Sequence, residues 1–196
     1  MNIKKVIALT GLIAATAGIS QLAFAQDPRG YVGASVGQSS FRDGCTGLAA
    51  GVSCEDRDTA IGAFVGLQFN TNFGVELGYT DLGSVTASGF GITGDVKAKG
   101  IEFSAVGTAP INEQFSVYGK LGFFRWDVDA QAQGFGVGAT RSDSGTDLTY
   151  AVGVQYNVTK TVGVRAQYQR YNDLGNEATT GTSDADFIGV GIVFKF

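Results

Sequence analysis

The chain contains no histidine, only two prolines and only two cysteines. Without histidine, a hydrolytic site lacks its most common general base, and a zinc site lacks a preferred ligand. Two thiols on their own also make a poor zinc site. We therefore expect no catalytic site, no metal and no cofactor, and we predict that the protein is not an enzyme. Catalysis by a carboxylate pair stays open as an alternative, because Asp and Glu are plentiful in the connecting segments.

Positive charge is scarce, with 14 Lys and Arg residues against 18 Asp and Glu, and the formal charge is −4. A nucleic-acid partner is not expected, because such a partner needs a basic surface. Glycine, in contrast, is abundant at 30 residues, and the chain has 14 Phe and 7 Tyr. With so little proline, this composition favours many short strands crowded around an axis.

Residues 1–25 have the three parts of a secretory signal peptide. Lys4 and Lys5 form the positive start, residues 6–19 are largely apolar, and Ala23 and Ala25 frame a small-residue cleavage site. We expect cleavage before Gln26, which removes two positive charges and moves the formal charge from −4 to −6. The alternative is a retained membrane helix, since the uncharged stretch is just long enough to span a bilayer.

The segment 186–196 alternates strictly between two kinds of side chain. Ile188, Val190, Ile192 and Phe194 are large and apolar, and the positions between them hold glycine, valine or lysine. The interior of a narrow barrel has room for glycine but not for a row of bulky side chains. The bulky face is therefore predicted to point outward into lipid.

Seven further segments alternate in the same way, and short and long connections separate them in turn. The short turns are at 70–72, 110–113 and 159–161, and the long connections are at 41–58, 82–95, 127–146 and 172–185. We predict an all-β fold over residues 26–196, an eight-stranded antiparallel up-and-down transmembrane β-barrel in the bacterial outer membrane. The long loops then face outside and the short turns face the periplasm. In the fifth strand, Phe124 and Trp126 fall on the inward side, and a bulge near Arg125 could turn Trp126 to the membrane interface.

Two pairs of segments carry a more specific resemblance. Residues 62–70 with 74–79, and residues 153–156 with 165–168, resemble strands 2, 3, 6 and 7 of the OmpA-like transmembrane domain family. The resemblance covers nearly all of residues 26–196 and implies a multi-pass outer-membrane protein. The terminal Phe196 is similar to the aromatic end that the barrel assembly machinery reads in this family. The peptidoglycan-binding domain of the longer family members is expected to be absent.

Several polar residues occupy inward positions, and we predict that they form an interior charge network. They are Glu76, Glu102, Lys120, Gln155 and Arg165, with Gln167 nearby and Lys195 at the periplasmic rim. Eight strands leave a lumen that side chains fill, so these groups must satisfy one another or trapped water. The family resemblance implies that Glu76 pairs with Arg165. It also implies an interior lysine where this chain has Val106, which argues against a gate that passes a carboxylate between two cations.

Cys45 and Cys54 both lie in the first long connection. In an exported protein, two cysteines in one loop most simply form a disulfide. Metal binding is the competing interpretation, and the absence of histidine and of further cysteines disfavours it.

The glycine-rich segments 89–92 and 134–138 are not followed by the helix of a nucleotide-binding loop. We interpret them as flexible loop tips that could contact lipopolysaccharide or a partner, or extend the hairpins.

The predicted function is a structural role in envelope integrity together with surface interaction through four external loops. Outer-membrane lipid, lipopolysaccharide, the assembly machinery and a host or phage surface are the expected partners. A narrow low-conductance porin is the alternative, and a lipid-modifying outer-membrane enzyme is less favoured because the enzymes of similar architecture use a histidine base.

Overall fold

A computed structural model of the chain describes residues 29–42, 44–47, 49–135, 137–176 and 181–196. The predicted signal peptide lies outside these residues. No helix among them is long and apolar enough to cross a membrane. The strands are β1 Arg29–Phe41, β2 Ser53–Glu55, β3 Arg57–Gln68, β4 Phe73–Gly89, β5 Ile92–Pro110, β6 Phe115–Gly134, β7 Val137–Asn157, β8 Val162–Asn176 and β9 Gly181–Lys195.

Eight of these strands close into one barrel. Each long strand pairs antiparallel with its neighbours along the chain, and β1 closes the ring by pairing with both β3 and β9. The short strand β2 lies outside the ring and pairs with the external end of β4, where Ser53 faces Ser88. The predicted eight-stranded antiparallel barrel is confirmed, with β2 as an addition inside the first external connection.

Alternate residues of each strand face outward and form an apolar belt. Ile188 is 64% exposed, whereas its neighbour Phe187 on the inward face is 1% exposed. At the external end of the belt, polar residues replace the apolar ones on the same outward face. They include Asp81, Lys99, Arg125, Arg170 and Asp186. This change marks where the wall of the barrel leaves the lipid and enters water.

Glycines make room inside the barrel for large rings from the neighbouring strand. Gly66 of β3 faces Tyr31 of β1, and Gly145 of β7 faces Trp126 of β6. A Cβ atom on either glycine would overlap the ring opposite to it. Rings that lie on glycine therefore fill much of the lumen, as a narrow barrel requires.

The second and third external connections are strands over nearly their whole length, contrary to the extents predicted from the sequence. Residues 82–89 and 92–95 continue β4 and β5, and residues 127–134 and 137–146 continue β6 and β7. The two hairpins end in tight turns at Phe90 and Phe135. The predicted bulge near Arg125 is wrong, because β6 pairs with both neighbours in an unbroken register and Trp126 is 3% exposed inside the barrel. Shifts of register occur instead at 81–84 and 171–174.

Candidate functional site

The periplasmic half of the lumen holds a polar network centred on Glu76 of β4. The Arg165 side chain of β8 donates from Nη1 to Glu76 Oε2 at 2.7 Å, and the Tyr31 hydroxyl donates to the same oxygen at 3.0 Å. Glu76 is 2% exposed and Arg165 is 7% exposed. The Arg165 guanidinium also lies 5.1 Å from the Tyr31 ring centroid and 4.8 Å from that of Tyr118. Four strands thus hold one buried ion pair between aromatic rings.

Lys120 of β6 joins a second carboxylate to this pair. Its Nζ lies 2.9 Å from Glu102 Oε1 and 3.6 Å from Glu76 Oε1. Glu102 Oε2 accepts a hydrogen bond of 2.6 Å from Gln169 Nε2, and the same nitrogen donates to Thr149 Oγ1 at 3.0 Å. Glu76 therefore lies within reach of two cations, and Glu102 is held from two sides.

The network continues toward the periplasm through neutral groups. Gln155 accepts from Arg165 Nε at 2.7 Å and donates from Nε2 to Asn157 Oδ1 at 2.8 Å. Lys195 Nζ donates to the same Asn157 oxygen at 2.6 Å. The structure thus brings together all five residues predicted for the interior network, and Lys195 joins them at the rim.

An apolar plug fills the external half of the lumen, directly above the charges. Phe124 and Tyr171 pack with ring centroids 4.6 Å apart. Phe187 and Leu82 are 1% and 0% exposed beside them, and Trp126 donates from Nε1 to Asp147 Oδ2 at 2.7 Å. Sequence reasoning placed Phe124 and Trp126 on the inward face but missed the plug. Leu82 was assigned to a loop, Trp126 was suspected of turning outward at a bulge, and Tyr171 and Phe187 were assigned to neither face. When the alternation of their strands is continued, residues 82, 171 and 187 fall on the inward side, and this pattern could have revealed the plug.

A separate cluster lies on the outer surface, just above the apolar belt. Asp186 accepts hydrogen bonds from Arg42 Nε at 2.7 Å, from Arg170 Nε at 2.8 Å and from the Tyr168 hydroxyl at 2.6 Å. Burial opposes ionisation of this carboxyl, but the hydrogen bonds from Arg170, Tyr168 and Arg42 outweigh it and lower the pKa of Asp186 to about 2. Two guanidinium groups share one carboxylate here, so the cluster keeps a net positive charge.

The remaining predicted residues lie at opposite ends of the barrel. Cys45 and Cys54 are joined by a disulfide in the first external connection, and Cys54 belongs to β2, where it faces Ala87 of β4. At the periplasmic end, the Phe196 backbone N–H donates to the Gly30 carbonyl at 2.9 Å, and the Phe196 side chain is 80% exposed. Within the part of the chain that the structure describes, no three His, Cys, Asp or Glu side chains are grouped to hold a metal ion.

A closed barrel with an apolar outer belt, a filled lumen and strands extended on one side defines the class of small outer-membrane barrel proteins. The chain belongs to the OmpA-like transmembrane domain family, whose family model matches residues 25–196. It is a multi-pass protein of the bacterial outer membrane.

Curated relatives agree with this family. The chain is 32% identical over 196 residues to outer membrane protein A of Salmonella typhi, and the alignment covers 98% of this chain and 55% of the relative. It is also 32% identical over 203 residues to outer membrane protein A of Serratia marcescens, covering 98% of this chain and 56% of the relative. The chain thus spans about half the length of the curated relatives that it matches.

Solved structures share the fold at lower identity. Ail, the attachment invasion locus protein of Yersinia pestis, superposes with a TM-score of 0.61 at 20% identity and covers 87% of this chain and 100% of its own. Neisserial surface protein A superposes with a TM-score of 0.56 at 16% identity, covering 85% of this chain and 97% of its own.

Proposed function

We propose that this barrel is a surface-interaction protein that touches an apolar partner outside the cell through the tip of a raised sheet. Strands β5, β6 and β7 contain 19, 20 and 21 residues, whereas a tilted strand needs only about 9–11 to cross a membrane. The additional residues lie at the external ends of the strands, because the outward face is polar from Lys99 and Arg125 toward the hairpin tips. From Lys99 to Ile92 the strand rises roughly 20–25 Å, at about 3.3 Å per residue.

The observation that carries this proposal is the apolar cap at the top of the sheet, formed by Phe90, Ile92, Phe135 and Val137. These side chains are 71%, 47%, 83% and 75% exposed. Each hairpin tip has the sequence Gly-Phe-Gly followed by a β-branched aliphatic residue. The two tips touch, because a Cβ atom on Gly91 would lie 3.7 Å from the Phe135 ring. The exposed Phe135 ring therefore lies against the tip that carries the exposed Phe90.

Both phenylalanines also adopt an uncommon backbone conformation. Phe90 has φ 54° and Phe135 has φ 51°, in the left-handed region that bulky residues rarely occupy. An exposed aromatic ring at such a position is unfavourable in the isolated protein, both in conformation and in solvation. Burial of the rings against a partner would offset the solvation cost, which supports a binding role for the cap.

The surroundings of the cap carry no charge. Residues 46–53, 87–94 and 130–140 contain no Asp, Glu, Lys or Arg. The first connection joins the cap, because a Cβ atom on Gly51 would lie 3.5 Å from the Phe90 ring. A convex, uncharged and aromatic tip suits insertion among lipid headgroups better than it suits a polar protein surface. We therefore propose the membrane of a host cell as the partner.

The related structure of Ail points to a different chemistry for that protein. Ail of Yersinia pestis has been solved in complex with the heparin analogue sucrose octasulfate. A sulfated ligand needs positive charge, and the cap has none. An apolar rather than a sulfated partner therefore fits this chain.

Binding to phosphatidylcholine liposomes tests the cap. The protein is refolded into nanodiscs, and its co-sedimentation with liposomes is compared with that of the double variant Phe90→Ser/Phe135→Ser. We expect the apparent affinity to fall at least about tenfold, since burial of each ring contributes roughly 1.5–3 kcal/mol. The control is Ile111→Ser, which changes a side chain that is 68% exposed in a periplasmic turn. Equal binding by the double variant would refute the cap, and binding to a host protein without binding to liposomes would replace the lipid partner.

Lipopolysaccharide is a second proposed partner, on the side of the barrel. Arg42 and Arg170 both pair with Asp186, at the level where the apolar belt ends, and Arg42 is exposed. Phosphate groups at the membrane surface would lie at this height, and arginine pairs with them well. Loss of lipopolysaccharide copurification in Arg42→Gln/Arg170→Gln, with normal barrel folding, would support this contact.

The filled lumen and the last residue fit a role in the envelope itself. We propose that the interior network and the plug stabilise the barrel in the membrane, and that Phe196 is the signal for the assembly machinery. Its side chain is 80% exposed at the periplasmic rim, where another protein can contact it. Phe196→Ser should slow insertion in cells without lowering the stability of the refolded barrel.

A narrow conducting path is the alternative function, and one observation favours it. Glu76 lies near both Arg165 and Lys120, so its carboxylate could exchange partners. The plug above it opposes conduction, because Phe124 and Tyr171 are each 1% exposed. Single-channel recordings distinguish a closed barrel from a conducting one: a stable open state that Glu76→Ala abolishes would support the porin.

We propose no enzymatic activity. Unchanged lipid A acylation in a deletion strain would agree with this proposal.

A further inference from the structure

A cavity of about 340 Å³ opens at the periplasmic end of the lumen, below the interior network. Arg29 and Lys195 lie at the ends of β1 and β9 and define its mouth, the side chains of Tyr31 and Tyr118 line it, and the buried Gln155 and Arg165 define its floor. The volume is in the range that holds a small organic molecule.

Positive charge dominates the lining. Arg29, Arg165 and Lys195 line the cavity, and Glu113 is the acidic side chain among the described lining residues. Arg165 has its carboxylate partner in Glu76, but Lys195 and Arg29 form no ion pair within the described residues. The bond that Lys195 makes is to the neutral oxygen of Asn157, at 2.6 Å. Among the described lining residues, two cations without an ion pair accompany one carboxylate, so an anion in this cavity would meet a net positive charge.

The floor presents a hydrogen-bond donor that is fixed in place. Arg165 is 7% exposed, and its Nε and Nη1 donate to Gln155 and Glu76. Its Nη2 is not used in these two bonds. The rings of Tyr31 and Tyr118 lie 5.1 Å and 4.8 Å from the guanidinium carbon and hold its orientation. A guanidinium held in this way can donate to an oxyanion with little loss of side-chain entropy.

We propose that this cavity, the periplasmic vestibule, binds a small oxyanion, either a carboxylate or a phosphate carried by a solute of the periplasm. Lys195 and Arg29 attract the anion at the mouth, and Arg165 Nη2 donates to it at the floor. The tyrosine rings contact the uncharged part of the solute, which the volume of the vestibule leaves room for. This site is independent of the external cap.

Titrations of the folded full chain in detergent micelles test the vestibule. Backbone amide shifts are followed by NMR at constant ionic strength, with inorganic phosphate, with dialanine and with dialanine amide as the probes. We expect saturable shifts at Gly30, Tyr31 and Asn157. Saturation by phosphate alone supports a phosphate ligand, and saturation by dialanine but not by its amide supports a carboxylate ligand. Equal shifts with the amide, or no saturation with any probe, would overturn the proposal.

Two variants that each lose one positive charge distinguish a specific binding site from general electrostatic attraction. Lys195→Gln removes a lining cation, whereas Lys160→Gln removes an exposed cation from a turn at the same end and outside the lining. We expect Lys195→Gln to weaken binding on the order of tenfold and Lys160→Gln to change it by less than about twofold. Similar losses in both variants would refute a specific site. Arg165→Lys keeps the interior charge but loses the guanidinium, and it should weaken binding in a barrel that still folds.

Discussion

Lys120 and Val106 face each other across the register of β5 and β6, on the inward side of the barrel. The family resemblance predicts a lysine at position 106, and the charge instead comes from its cross-strand partner. Because the two positions are neighbours on one face, Lys120 Nζ still reaches Glu102 at 2.9 Å and Glu76 at 3.6 Å. Glu76 therefore has a second cation within reach, although position 106 does not supply it.

Removal of this cation should destabilise the barrel strongly. Lys120→Met leaves Glu76 and Glu102 buried with one cation between them, and an uncompensated buried charge costs about 3–5 kcal/mol. The measurement is urea unfolding in detergent, followed by the mobility of unboiled protein on gels. Lys160→Met, at an exposed turn, is the control and should be neutral. If Lys120→Met/Glu102→Gln is no more stable than Lys120→Met, the pair does not interact as described.

The two adjacent phenylalanines 123 and 124 should differ sharply in their contribution to stability. Phe124 is 1% exposed in the plug, whereas Phe123 is 61% exposed on the lipid-facing side. Truncation of a buried phenylalanine costs about 3–5 kcal/mol, because it leaves a cavity. We expect Phe124→Ala to lower the free energy of unfolding by about that amount and Phe123→Ala to lower it much less, both measured in the same detergent. Equal losses would show that the plug is not tightly packed.

Loss of the Cys45–Cys54 disulfide should loosen the first external connection without opening the barrel. The bond closes a loop with a sequence separation of 9, for which the chain-entropy model gives about 2–3 kcal/mol. The barrel strands pair independently of this loop, so the heat-modifiable migration of Cys45→Ser/Cys54→Ser should match that of the wild type. Limited proteolysis should cut the variant faster between residues 44 and 57. A protease-resistant loop in the variant would indicate that the pairing of β2 with β4 is sufficient.

The Asp186 carboxyl should titrate far below an ordinary aspartate. Its pKa is about 2 in the folded protein, and the unperturbed value is about 3.9. A lowered pKa means that its contribution to stability is fully present above about pH 4 and is lost as the pH falls toward 2. Carboxyl carbon shifts in NMR give this pKa directly. Arg170→Gln should raise it, whereas the exposed Arg141→Gln should not, and an unchanged value in Arg170→Gln would contradict the hydrogen-bonded cluster.

Alternation alone was sufficient to predict the barrel and the inward side of Glu76, Lys120 and Arg165. A strand in a membrane exposes every second residue to lipid, so the pattern of 186–196 determines which side is inside. The same reasoning placed Phe124 and Trp126 inward, and the suggested bulge at Arg125 was an unnecessary correction of it.

The extent of the strands and the pairs formed in the lumen could not be predicted in this way. Residues 82–95 and 127–146 are rich in glycine, serine and aspartate, and such residues are typical of loops, yet their backbone hydrogen bonds are satisfied by continuing hairpins. The contact between Lys120 and Glu102 joins neighbouring strands, and that between Arg165 and Glu76 joins distant ones. Such contacts depend on the curvature of the closed barrel, which no local pattern contains.

Tyr31 packs on Gly66, and Trp126 packs on Gly145. These contacts limit which substitutions the lumen can accept during evolution. A larger residue at either glycine is tolerated only if the ring opposite becomes smaller, so the two positions must change together. Loss of a ring alone leaves a void over a bare glycine, which lowers stability before it creates a passage. A descendant with an open channel would therefore have to pass through several coupled substitutions, and the closed state of this barrel is protected against single mutations.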